Sequence, residues 1–111
     1  MAKKSILEDK PAVLLNRFYK ALLGEKIPVE KLILFGSYAK GNPKPWSDLD
    51  VCVVSEAFGK DYYDELVFLK KLASDIEPLI EPYPMKPKDL EDKWDPLAHE
   101  VRQYGKVWPR P

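Results

Sequence analysis

The stretch LFGSYAKGNPKPWSDLDVCVV, Leu34 to Val54, decides how the rest of the chain is read. It begins at the end of the apolar run KLILF, residues 31–35, and closes on VCVV, residues 51–54. Short apolar runs bounded by turn residues read as buried strands. Strands are therefore expected over Val29 to Phe35 and over Asp48 to Ser55. Between them a single helical turn fits Ser37 to Lys40, closed by Gly41, and Asn42-Pro43-Lys44-Pro45 makes a turn-rich loop. A connection of about a dozen residues is too short for a helical crossover, so the two strands are expected to be antiparallel.

Outward from this centre the pattern alternates. A helix is expected from Asp9 or Lys10, with Pro11 in its first turn, Leu14, Phe18, Ala21 and Leu22 on one face, and Gly24 at its end. A second fits Asp61 to Ser74, with Tyr62, Leu66, Leu69 and Ala73 on a stripe that reads as core or partner interface. Pro78 to Tyr83 reads as a short strand that Pro82, Pro84 and Pro87 confine to an edge or terminate. A last helix is capped by Asp95, starts at Pro96, carries Leu97, Val101 and Tyr104 on one face and ends at Gly105; Lys106 to Trp108 adds a final short strand. The fold class expected is α+β, a small mixed sheet packed with helices.

The chain has 111 residues, and residues 1–111 are expected to form one domain. Eighteen basic residues balance eighteen acidic ones. That balance argues against strong nucleic-acid binding through counterion release, but not against binding a single nucleotide. Cys52 is the only cysteine, which excludes an internal disulfide and suits a small core residue in a reducing cytoplasm. No apolar run is long enough to span a membrane, and MAKKS is not followed by the apolar region of a secretory signal, so a cytoplasmic location is expected.

The chemistry is concentrated in the opening stretch. Glycine at 36 lets backbone approach a ligand closely, and a serine hydroxyl beside a backbone N–H at a helix start can hold a phosphate oxygen. Asp48 and Asp50 stand at i and i+2 on a strand and so share a face. Two adjacent carboxylates repel unless a cation neutralises them. Mg²⁺ takes oxygen ligands and is commonly shared between carboxylates and substrate phosphates. A bare Asp-x-Asp would ordinarily be structural; strand, Gly-Ser, short helix, spacer, Ser-Asp-x-Asp and apolar strand in that order point to a metal–nucleotide site.

These residues resemble the signature of the DNA polymerase β-type nucleotidyltransferase superfamily, Gly-Ser followed by Asp-x-Asp, and the small size resembles its minimal nucleotidyltransferase branch. IEPYPMKPKDLEDKWDPLAHEVRQYGKVW, residues 80–108, resembles that branch more weakly. The resemblance implies that Gly36 and Ser37 bind the triphosphate, that Asp48 and Asp50 bind two Mg²⁺ ions, and that a nucleoside monophosphate passes from a triphosphate such as ATP to a hydroxyl. Lys40 and Ser47 join the candidate nucleotide-binding residues. Lys40 stands where related domains often carry arginine and offers a point charge without a bidentate fork.

The family also uses a third carboxylate. Glu81 and Glu77 are the candidates. Glu81 is favoured, because in the run Leu79-Ile80-Glu81-Pro82 it is expected to be buried and unpaired, a cost that a metal would offset; Glu77, before Pro78, is expected at the strand entrance and easier to solvate. His99 reads as a surface helix residue. Trp46 either stacks on a base or covers the sheet edge.

Minimal domains of this kind commonly pair with a helical HEPN partner in toxin–antitoxin systems. The resemblance therefore implies an antitoxin that adenylylates its partner, with a homodimer surface as another place for the acceptor. Two other readings stand beside it: a binding module that neutralises a partner by contact, and a nucleotidyltransferase acting on a small molecule.

Overall fold

The structure, a computed structural model, describes residues 6–108; the MAKKS reading lies outside the described residues. The elements in order are α1 (Pro11–Gly24), β1 (Lys31–Phe35), α2 (Ser37–Lys40), β2 (Leu49–Val54), α3 (Tyr62–Ser74), β3 (Ile80–Met85), a 3-10 helix (Pro87–Glu91), α4 (Pro96–Tyr104) and β4 (Lys106–Trp108). The strands form one mixed sheet in the order β3-β2-β1-β4. β1 pairs antiparallel with both β2 and β4, and β3 pairs parallel with β2. The α+β class and the antiparallel central pair are as the sequence led us to expect.

Alternation along the strands sends side chains to two helical layers. Leu32, Val51, Val53 and Ile80 meet Leu14, Phe18 and Leu22 of α1 and Leu69 and Ala73 of α3. Ile33, Phe35, Cys52, Val54 and Met85 meet Leu90 of the 3-10 helix and Ala98 and Val101 of α4. Burial pushes the Cys52 thiol up to about 12, as befits a small core residue. The helix caps follow local chemistry: Asp61 accepts from Asp64 N at 3.1 Å and Asp95 from Leu97 N at 3.0 Å.

Three expectations are corrected. β3 runs Ile80–Met85, two residues later than Pro78 to Tyr83 and of the same length, at the edge of the sheet where its prolines led us to expect it. Leu49 N donates to Leu79 O and Ser55 N to Met85 O, so odd-numbered residues of this strand face β2. Pro82 and Pro84 therefore turn their missing N–H to the open edge, where it costs nothing. Tyr62 leaves the buried stripe of α3 and is 54% exposed, at the first position of the helix. Tyr104, expected on the inner face of α4, is exposed as well.

Candidate active site

The site forms where the ends of three strands meet. The β1 register places Phe35 opposite Asp50, and the β3 register places Glu81 beside Asp50. Asp48, Asp50 and Glu81 thus come to one region on the α4 side of the sheet, although some 30 residues of chain separate the third from the first two. Phe35 and Tyr83 form part of the floor there, with ring centroids 5.4 Å apart.

Gly36 couples the turn to the acids. It caps α2 at φ 76 and ψ −157, a region open essentially to glycine alone. A Cβ at this position would collide with the Asp50 carboxylate, its Cγ standing only 3.1 Å away. The glycine is needed twice, for its backbone angle and to let the turn lie against Asp50. Ser37 follows as the first residue of α2.

The electrostatics show how crowded the acids are. Burial first, and then Asp48, Glu81 and Glu100, raise Asp50 from 3.8 to about 6. Tyr83 is pushed upward by burial and then by Asp50 and Glu81. Repulsion of this kind is what a cation relieves, and the donors are all carboxylate oxygens, the set that a hard divalent ion takes. Asp48, Asp50 and Glu81 fit Mg²⁺ in chemistry. They are not drawn together as a ready cage: among the described residues no three acidic, His or Cys side chains stand in a metal-holding arrangement. Glu81 instead turns to Lys70 of α3, with Nζ to Oε2 at 3.0 Å.

Glu77 and Glu81 exchange the environments expected of them. Glu77 is 3% exposed and accepts hydrogen bonds from Glu8 N at 2.9 Å and Leu79 N at 3.2 Å. It ties the segment before α1 to the start of β3. Glu81 has a side chain 28% exposed and is ion-paired. The reason lies in their partners: Glu77 is enclosed with the amides of Glu8 and Leu79, whereas Glu81, beside Asp50 in the register, reaches Lys70 of α3. Removing a buried acceptor of two backbone amides costs about 2 kcal/mol, whereas a partly exposed ion pair is worth less than about 1 kcal/mol. Urea unfolding should therefore rank Glu77→Ala well below Glu81→Ala in stability; the reverse order contradicts this division of labour.

The remaining candidates are placed as follows. Lys40 Nζ lies 3.0 Å from Glu100 Oε1 and 4.8 Å from the Tyr104 ring centroid. The Glu100 hydrogen bond raises the Lys40 pKa. Ser47 closes its own loop, accepting from Lys44 N at 2.8 Å and donating its N–H to Lys44 O at 3.0 Å. Trp46 is 62% exposed, and His99 lies exposed on α4. Sequence reading missed Lys70, Glu100, Tyr83 and Tyr104. Glu100 and Tyr104 do stand at i and i+4, so they share a helix face, but nothing local says that Lys40 meets them.

Comparison with known proteins shows the family. Residues 16–94 match the family described as nucleotidyltransferase domain. A candidate protein adenylyltransferase of Methanocaldococcus jannaschii is 37% identical over 54 residues, which cover 49% of this chain and 48% of that protein; the match thus spans about half of the relative. The fold is similar to that of a candidate nucleotidyltransferase from Sulfolobus solfataricus, with a TM-score of 0.63 at 14% identity, covering 91% of this chain and 88% of that one. It is also similar to a chain of a toxin–antitoxin structure solved with AMP-PNP, with a TM-score of 0.54 at 22% identity, covering 83% and 69%. With the Gly-Ser turn, the paired aspartates and a family match over most of its length, the chain belongs to the nucleotidyltransferase domain family.

Proposed function

We propose that this domain is a Mg²⁺-dependent protein adenylyltransferase, moving AMP from ATP to a side-chain hydroxyl of a partner protein and acting as the antitoxin of a toxin–antitoxin pair. The observation that carries the reading is the contact of the Gly36 turn with Asp50, which leaves no gap between a phosphate-binding backbone and the acidic cluster. The name of the Methanocaldococcus relative and the fold likeness to a toxin–antitoxin protein support the acceptor class. A HEPN-type partner is the one that the sequence resemblance implies.

In this reading Gly36 and Ser37 hold the triphosphate by backbone N–H and hydroxyl. Lys40 exchanges Glu100 for a phosphate oxygen. Asp48, Asp50 and Glu81 would hold Mg²⁺, which when bound would supply positive charge to offset that of the phosphates and the leaving pyrophosphate. Glu81 lies on the edge strand with its side chain partly exposed, which leaves it accessible to an acceptor. It would take the proton of the acceptor hydroxyl as the oxygen attacks the α-phosphate and pyrophosphate leaves.

No helix among the described residues is long and apolar enough to cross a membrane. The partner is sought among proteins that co-purify with the domain from a cell extract. The test is intact mass measurement of that partner after incubation with ATP and Mg²⁺. A gain of one AMP on the partner is expected. An unmodified partner, with ATP bound to the domain, sinks the proposal.

A further inference from the structure

Lys70 lies on α3 next to the buried Leu69, and its own side chain is 51% exposed. It reaches past the β3 edge to Glu81, with Nζ 3.0 Å from Oε2. Glu81 belongs to an acidic group whose members repel one another, since Asp48, Glu81 and Glu100 all bear on Asp50. Lys70 on one side and Lys40 on the other each take one carboxylate of that group, Glu81 and Glu100. The carboxylate that Lys70 takes is the one needed to complete an oxygen cage with Asp48 and Asp50. As long as the pair is made, an ammonium occupies the place of a ligand-bound cation on Glu81.

We propose that Lys70 is a positioning residue, the resident counter-ion of Glu81, and that a divalent cation must displace it, so that Lys70 weakens metal binding to the nucleotide-free protein. The proposal rests on the reading of Asp48, Asp50 and Glu81 as metal ligands. Its physics is competition. The ion pair must break before Glu81 can turn to the metal, and the ammonium left behind repels the incoming dication. A lysine that merely braced the site would act in the opposite sense, since its loss would loosen the ligands and weaken binding. A partly exposed pair of this kind corresponds to up to about a five-fold change in affinity.

Mn²⁺ serves as the probe, its free concentration read by electron paramagnetic resonance with the nucleotide-free full chain. Lys70→Met is expected to lower the Kd for Mn²⁺ about five-fold, Lys70→Arg to leave it near the wild-type value, and Lys70→Met with Glu81→Gln to lose the gain. An unchanged or weaker Kd in Lys70→Met overturns the proposal, as does a gain that survives Glu81→Gln or appears equally in Lys70→Arg. Asp50→Asn separates this outcome from failure of the underlying reading. If it leaves Mn²⁺ binding intact, the metal site itself is wrong; if it weakens binding while Lys70→Met changes nothing, only the role of Lys70 falls.

Discussion

Asp50→Asn is expected to abolish nucleotidyl transfer and, in the same protein, to raise the melting temperature measured without metal at pH 7. In the proposed mechanism Asp50 would hold the catalytic cation, and its loss would remove several kcal/mol of transition-state stabilisation, about a thousandfold in rate. The gain in stability comes from the crowding. Asp50 titrates at about 6 in the folded chain, against 3.8 for the unperturbed side chain, chiefly because it is buried and then because Asp48 and Glu81 stand near it. Between those two values the folded state binds more protons than the unfolded one. The contribution of Asp50 to stability is thus most favourable below about pH 4, falls as the pH rises through about 6, and stays reduced above it.

The full shift would correspond to about 3 kcal/mol, but Asp50 is only half-buried and solvent screening reduces this to about 1 kcal/mol. In a domain of this size that is about 5 °C in Tm. The asparagine variant should lack the decline between pH 4 and 6, and Mg²⁺ should stabilise wild type more than the variant. Thermal melts from pH 4 to 8, with and without Mg²⁺, check all of this. A variant that melts below wild type at pH 7 contradicts the account of Asp50.

Gly36→Ala carries the largest stability loss. At φ 76 and ψ −157 an L residue is strained whatever the space around it, and here the added methyl also meets the Asp50 carboxylate. Strain and clash together cost about 3 kcal/mol, or about 15 °C in Tm. Gly41, in left-handed conformation at φ 80 with open space around it, provides the contrast. Gly41→Ala should cost only about 1 kcal/mol, and Gly41→Asn less, because asparagine tolerates that conformation. The difference between the two glycines isolates the contact with Asp50. Equal losses at 36 and 41 mean that backbone angle alone explains Gly36.

The central part of the fold was legible in the sequence because its determinants are local. KLILF and VCVV read as strands by composition, Gly36 and Gly41 bracket the short helix, and Asp61 and Asp95 announce their helices as caps. The nearness of Asp48 to Asp50 follows from strand periodicity alone. Glu81 could be suspected but not placed, because its position depends on the parallel register of β3 with β2, which no local pattern encodes. The same limit explains the inverted reading of the two glutamates. Glu77 is buried by a contact with Glu8, 69 residues away in sequence, and Glu81 finds its counter-ion on a neighbouring helix. The prolines of β3 marked an edge strand, as found, but its end points depend on pairing with β2, which they do not encode. The ion pairs of Lys40 and Lys70 are long-range in the same way, and on a helix or loop surface each lysine looks like any other.

The most direct test of the central claim, that the Gly36 turn and the Asp48–Asp50–Glu81 cluster form one nucleotidyl-transfer site, is a label-transfer experiment with the native partner, Mg²⁺, and ATP labelled at either the α- or the γ-phosphate. The account predicts that the α-label appears covalently on the partner, that the γ-label leaves with pyrophosphate, and that Asp48→Asn with Asp50→Asn abolishes transfer while the domain stays folded. Transfer of the γ-label, or α-label transfer undiminished in the double variant, would contradict it.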